Sequence, residues 1–174
     1  MSKQPANVIY AFIDSQNLNL GALDFGWELD FGKFRLYLRN KYKVKKAYLF
    51  IGYIEKNANL YQKLQEFGYI LIFKPVLAVR KERKTTYKGN VDAELVLHTM
   101  IQKENFEKAI IVSGDGDFYC LIEYLKNNNL LYKIMTPNSS YSSLLRKFGD
   151  YIVDITKLRD KLEYKRRHSR GKQG

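Results

Sequence analysis

Four aspartates stand out by what surrounds them. Asp14 ends a short apolar run, residues 8–13 (VIYAFI), and is followed by Ser15, Gln16 and Asn17. Asp115 and Asp117 lie in Ser113-Gly114-Asp115-Gly116-Asp117, at the end of a second apolar run that starts at Lys108 (KAIIVS). The glycines let the backbone turn sharply there and expose both carboxylates. Asp92 falls in the first turn of the helix that precedes that run. Carboxylates brought together from these places repel one another unless a cation balances them. An all-oxygen donor set selects a hard ion, Mg²⁺ or Mn²⁺. Such an ion, bridging carboxylates and a phosphate, can activate water and stabilise the leaving oxygen in phosphodiester cleavage. One cysteine, Cys120, and two histidines leave no material for an internal disulfide and argue against a Cys/His zinc site.

Each residue also has a purely structural reading. Asp117 can cap a helix starting at Phe118, and Asp92 is favoured by the helix dipole. Asn17 can be a turn former. Asp14 is harder to place this way, because an unpaired acid at the end of a buried strand is costly. Cys120 reads as a small core residue among apolar neighbours, and His98 as structural or surface.

The elements that must position these residues follow from the apolar patterning. Residues 8–13 lack alternation and read as a strand buried on both faces. Residues 15–30 read as irregular. Asp30 is a helix cap for residues 31–42, with Phe31, Phe34, Leu38 and Tyr42 on one face. Residues 46–53 form a second strand. Residues 57–67 form a helix burying Leu60, Leu64 and Phe67, closed by Gly68. Residues 69–76 form a third strand. Residues 77–89 are polar and basic without periodicity and read as a mobile loop. A helix over 91–103, with Asn90 as cap, leads into the fourth strand, 108–113. A helix over 118–127 buries Phe118, Leu121, Ile122 and Leu125. The fifth strand, 131–136, precedes a helix over 140–148 packing Leu144, Leu145 and Phe148, and a short last strand covers 151–155.

Strands alternating with helices predict an α/β domain with a mostly parallel central sheet and helices on both faces. Ligands of such sheets bind beyond the carboxyl ends of the strands where the strand order reverses. At 174 residues the chain fits one domain, residues 1–158, followed by a basic tail, 159–174. No apolar run approaches the ~20 residues that span a bilayer, and residues 1–7 lack the apolar segment of a signal peptide. The expected address is the cytoplasm.

Charge is concentrated. The chain carries 30 Lys and Arg against 18 Asp and Glu, a net charge of +12. Residues 80–88 (RKERKTTYK) hold five bases and one acid, and residues 157–174 eight bases and two acids. The remainder is nearly neutral. Local basic fields of this kind suit a polyanion, above all nucleic acid; a solvated surface and a solubilising tail are the alternative. Arg80, Lys81, Arg83, Lys84 and Lys88 would hold an RNA backbone, with Tyr87 stacking on a base. Lys165, Arg166 and Arg167 would add phosphate contacts.

Three segments together, FIDSQN, KGNVDAELVLHTM and IIVSGDGDF, resemble the NYN domains of the PIN-like nuclease superfamily, and more closely their LabA-like branch. The resemblance covers residues 8–158. It implies a Rossmannoid three-layer sandwich in which strands one and four are neighbours. It also implies that Asp14, Asp92, Asp115 and Asp117 are the acidic metal-binding set, with Asn17 beside them, and that the activity is directed at RNA. Two departures are visible. Relatives often carry a further acid six residues after Asp92, where this chain has His98, and the KGNVD spacer has one residue more than the commoner KGVD. Ser142, Leu145 and Asp150 fit the weaker closing pattern, with Asp150 read as structural. A haloacid-dehalogenase-like phosphatase needs a second aspartate two residues after the first, and position 16 is Gln. Walker A and GxGxxG fingerprints are absent.

The sequence therefore predicts a Mg²⁺- or Mn²⁺-dependent ribonuclease for single-stranded or loop RNA, working through Asp14, Asp92, Asp115, Asp117 and Asn17. The alternatives are an RNA-binding adaptor with a weak or inactive nuclease site and a regulatory or assembly protein. Self-association, as a homo-oligomer, is left open.

Overall fold

The computed structural model describes residues 7–81, 84–88 and 90–166, with residues 79–81 and 84–88 described by their backbone path. The chain opens with β1 (Ile9–Asp14), α1 (Ser15–Asp24), α2 (Phe31–Tyr42), β2 (Val44–Tyr53), α3 (Ala58–Glu66) and β3 (Tyr69–Pro75). The hairpin β4 (Leu77–Lys81) and β5 (Lys84–Lys88) leads into α4 (Asp92–Ile101), β6 (Lys108–Val112), α5 (Tyr119–Asn127) and β7 (Leu131–Thr136). A 3₁₀ segment (Ser143–Tyr151), β8 (Ile152–Asp154) and α6 (Arg159–Leu162) complete it.

The central sheet has six strands in the order β3-β2-β1-β6-β7-β8, and every pairing is parallel. From β1 the chain winds outward to β3, then returns to build β6, β7 and β8 on the other side. The order reverses between β1 and β6, which lie in register from Ile9↔Lys108 to Ile13↔Val112. The sequence expectation of an α/β domain with a parallel sheet and strands one and four adjacent is met.

Strand alternation divides the core in two. Ile9, Ala11 and Ile13 face one side with α1, α2 and α3, where Leu18, Phe34, Leu38 and Leu64 are buried. Tyr10 and Phe12 face the other, with Leu95 of α4 and Leu121, Ile122 and Leu125 of α5. All six residues of β1 are buried, which is why it reads as an unbroken apolar run.

The structure corrects several local expectations. Residues 15–24 are not irregular but form α1, with Asp14 as its cap. Its four buried residues are Ser15, Leu18, Gly21 and Ala22, too small and polar a set to register as an amphipathic stripe. Residues 77–81 and 84–88 are not loop but two antiparallel strands, registered Leu77↔Lys88 to Lys81↔Lys84. The stretch after β7 is a 3₁₀ segment; it turns Leu145 and Phe148 inward and leaves Leu144 57% exposed. In α3 the inward face is Tyr61 and Leu64, while Leu60 and Phe67 are exposed. Cys120 is exposed rather than in the core, because the buried stripe of α5 is Leu121, Ile122 and Leu125.

The chain does not leave the fold at residue 158. Leu162 of α6 is buried in the α1–α3 core. Its carbonyl accepts from the Asp30 N–H at 2.8 Å, and the Tyr164 N–H donates to the Glu28 carbonyl at 2.8 Å. Lys165 and Arg166 follow, both exposed. No helix among the described residues is long and apolar enough to cross a membrane.

Candidate active site

Each aspartate is placed by a separate local device. Asp14 has an extended backbone at the end of β1, and its carboxylate accepts from the Asn17 N–H at 3.1 Å. One side chain thus ends a strand and starts a helix. Asp115 does the same after β6: it caps a 3₁₀ turn by accepting from the Asp117 N–H at 2.9 Å. The cap of this turn is therefore Asp115 and not Asp117, whose exposed side chain stands beside Asp92 and Asp115. The Asp92 N–H donates to Asn90 Oδ1 at 2.8 Å, and Asn90 Nδ2 donates to the Asp92 carboxylate at 2.9 Å. The N-cap position of α4 falls on Val91 rather than on Asn90 as expected; the Asn90 side chain instead grips Asp92 just inside the helix and aims the acid.

Side chains from distant parts of the chain fasten these turns together. Asn17 Oδ1 accepts from the Gly114 N–H at 2.8 Å, joining the start of α1 to the turn after β6. The Ser113 hydroxyl accepts from the Asp115 N–H at 3.1 Å. The Ser142 N–H donates to the Gly114 carbonyl at 2.9 Å, and Ser142 packs so closely on Gly116 that a Cβ there would lie 2.3 Å from its hydroxyl. Only glycine fits under that contact.

The result is an open crevice of about 610 Å³ at the carboxyl ends of β1 and β6, with Asp14, Asn17, Asp92 and Asp115 in its lining. Asp92, Asp115 and Asp117 each offer a carboxylate oxygen, all three within 4.8 Å of one another. Asp14 lies outside that close group but within its field. Burial pushes its carboxyl up from 3.8 to about 6, and the nearby charges of Asp92 and Asp115 push the same way, against the N–H donated by Asn17. Asp92 is also raised, first by burial and then by Asp115 and Asp117, with Asn90 opposing. The carboxylates are thus in mutual repulsion. Three oxygen ligands with neither nitrogen nor sulfur among them fit a hard divalent cation, which would relieve that repulsion.

His98 adds no ligand here; its ring lies 5.7 Å from that of Phe50. Asp150 is exposed in the 3₁₀ segment and does not line the crevice. The backbone places Arg80, Lys81, Lys84, Tyr87 and Lys88 on the hairpin that joins β3 to Asn90. Arg83 and Arg167 lie outside the described residues.

Two contributors escaped the sequence reading. Lys74, at the end of β3, donates to the Asn90 carbonyl and pairs with Glu94 at 3.3 Å, pinning the start of α4. Asn138, buried in the crevice wall, donates to the Gly21 carbonyl at 2.9 Å and accepts from the Ser140 N–H at 2.8 Å. Lys74 sits inside an apolar strand and carries no local signal. Asn138 follows β7 as Asp14 follows β1, and the rule that strand ends build the site applies equally to it.

The structure is thus that of an α/β domain with a parallel sheet and an acidic crevice at its switch point. The chain belongs to the NYN domain family, whose sequence profile matches residues 9–157. It is similar to the Low amplitude and bright protein LabA of Synechococcus elongatus, with 23% identity over 159 residues, 87% of this chain and 86% of that protein. Its fold is shared with the crystal structure of a protein of unknown function from Vibrio parahaemolyticus. That likeness has a TM-score of 0.71 at 21% identity and covers 94% of this chain and all of the other.

Proposed function

We propose that this chain is a Mg²⁺- or Mn²⁺-dependent ribonuclease that hydrolyses phosphodiester bonds of single-stranded or loop RNA. The observation that carries the reading is the convergence of Asp92, Asp115 and Asp117 at the sheet's switch point, with Asp14 buried beside them. In this reading Asp14, Asp92, Asp115 and Asp117 hold the cation. When bound, the ion supplies positive charge and Lewis acidity for attack on the phosphate. Asn17 works mainly as a positioning residue, since its carbonyl oxygen is engaged by Gly114 and its amide nitrogen is left for a phosphate oxygen. Asn90 and Lys74 keep Asp92 in place.

The basic residues are the RNA-holding set: Arg80, Lys81, Arg83, Lys84 and Lys88 with Tyr87 in the segment 80–88, and Lys165, Arg166 and Arg167 towards the end of the sequence. A ribbon reaching from the end of β3 to the start of α4 can lie along a strand whose phosphate enters the crevice. The folded unit as far as Tyr164 is the catalytic part in this reading, the basic residues after it add affinity, and the site of action is the cytoplasm.

The test is direct. Labelled single-stranded RNA, and DNA of the same sequence, are incubated with the full chain in Mn²⁺, Mg²⁺ or EDTA, beside Asp14→Asn. Cleavage of RNA that needs the metal and is lost in the variant is expected. Cleavage that persists in excess EDTA overturns the metal assignment. Tight RNA binding without metal-dependent turnover favours the adaptor reading.

A further inference from the structure

A second cavity, of about 360 Å³, adjoins the acidic crevice, and Gln16 and Val91 line both. It lies between α1 and α3 over the carboxyl half of β2. Leu49, Ile51, Leu64 and Val76 supply an apolar interior. Gln16, Asn19, Glu28 and Asn57 supply polar groups. Its wall is held firmly: the Tyr61 hydroxyl accepts from the Ile54 N–H at 2.8 Å and donates to the Gly52 carbonyl at 3.1 Å. Val76 packs against Gly52 so closely that a Cβ there would lie 2.5 Å from its Cγ1.

The polar groups are unspent. Among the described residues the side-chain amides of Gln16, Asn19 and Asn57 and the Glu28 carboxylate have no hydrogen-bond or ion-pair partner. An aliphatic occupant would cover the partly buried amides of Asn19 and Asn57 without pairing them, which is costly. A phosphate would meet Glu28 and no cation among the described lining residues. The remaining class is flat and uncharged, with apolar faces and donor and acceptor edges, which is the chemistry of a nucleobase. The volume lies in the range of small-ligand sites.

We infer that this chamber receives a nucleobase, that of the nucleotide next to the phosphate in the acidic crevice. The second half of the statement rests on the ribonuclease reading; the first does not. Leu60, in the first turn of α3, belongs to the lining and is 46% exposed, so it borders the chamber's open side.

The test uses the full chain, ¹⁵N-labelled, in EDTA, titrated with adenosine, guanosine, cytidine and uridine, and with ribose as control. At least one nucleoside should saturably shift the backbone amides of Gly52 and Ile54 and the side-chain amides of Asn19 and Asn57, and ribose should not. Asn19→Ala and Asn57→Ala should each weaken that binding at least fivefold, and Leu60→Trp should abolish it by filling the mouth. No shift at these residues at millimolar nucleoside overturns the inference. So does unchanged affinity in the two asparagine variants, whose partly exposed positions keep the fold intact. Mn²⁺ broadening at Asp92, Asp115 and Asp117 and RNA cleavage, measured on the same protein, report separately on the ribonuclease reading. Cleavage without nucleoside binding removes the chamber alone. Nucleoside binding without metal-dependent cleavage removes the ribonuclease reading alone.

Discussion

A carboxylate that ends a buried strand and caps a helix beside other acids is expensive to build, and Asp14 shows the cost. It is 5% exposed, capped onto α1, and faces Asp92 and Asp115. Its folded value of about 6 lies above the ordinary 3.8, so between these values the native state binds more protons than the unfolded chain. Stability from this group is therefore fully present below about pH 4 and is lost as pH rises through about 6. At 1.36 kcal/mol per pH unit the loss is about 2–3 kcal/mol by neutral pH. Asparagine caps helices as well as aspartate does and does not titrate. In urea denaturation with EDTA, Asp14→Asn should gain about 2 kcal/mol over wild type between pH 4 and pH 7.5; parallel pH profiles would show that Asp14 is not destabilised by its charge. Asp115→Asn, in the same logic, should unfold in EDTA at the wild-type temperature or slightly above, because one repelling charge has gone. Its metal-dependent cleavage should fall by a hundredfold or more if the carboxylate holds the ion, a loss of ~3 kcal/mol in transition-state stabilisation. Retained cleavage would remove Asp115 from the ligand set.

Elements bring these residues together, and how far they were legible depended on what buries them. Strands β1 and β6 are wholly or almost wholly buried, so their apolar runs announce them and the aspartates after them. Helix α2 announced itself through Asp30, which accepts from the Lys33 N–H at 3.0 Å as the cap pattern requires. Helix α1 did not, because its inward side is built around Gly21 and Ser15 rather than large apolar residues. The hairpin was hidden by its charge: Thr85, Thr86 and Tyr87 favour strands, yet the lysines around them read as solvated chain, and Glu82-Arg83 is no hairpin turn signal. In the site, chemistry-bearing aspartates were visible, while Lys74 and Asn138 were not, because their contacts span 16 and 117 residues of sequence. Gly21 is one such close joint, since a Cβ there would lie 2.5 Å from two carbons of the Pro137 ring. A proline ring cannot swing aside. Gly21→Ala should cost about 1–3 kcal/mol by overpacking, a fall in melting temperature of roughly 2–12 °C for a chain of this size. It should also lower cleavage by shifting Asn138 and the crevice wall. A melting temperature unchanged within a degree would show that α1 and the β7 loop slide freely.

At the scale of the whole molecule, the acids and the bases are segregated. The carboxylates gather at the switch point, whereas the concentrated positive charge lies on the hairpin and beyond α6. The separation suits a polyanion held by one region and cut by another. Leu162 and the Tyr164 N–H tie the chain to the core, so truncation after Tyr164 keeps that anchor and removes only Lys165 to Gly174. The removed piece carries Lys165, Arg166, Arg167, Arg170 and Lys172. Each phosphate neutralised on a single strand contributes a slope of about −0.7 to log affinity against log salt. If three of the five bases engage, the truncation should flatten that slope by roughly 2. Binding should weaken similarly for unrelated RNA sequences, because phosphate contacts do not read bases. The single-turnover rate at saturating RNA should stay near that of the full chain, since among the described residues none after 141 lines the acidic crevice. RNA affinity measured from low to moderate salt for both proteins, followed by rates at saturation, checks both statements. An unchanged slope would make the tail a solubilising appendage. A collapsed saturated rate in a folded truncation would place the tail at the active site, and the division between holding and cutting would then be wrong.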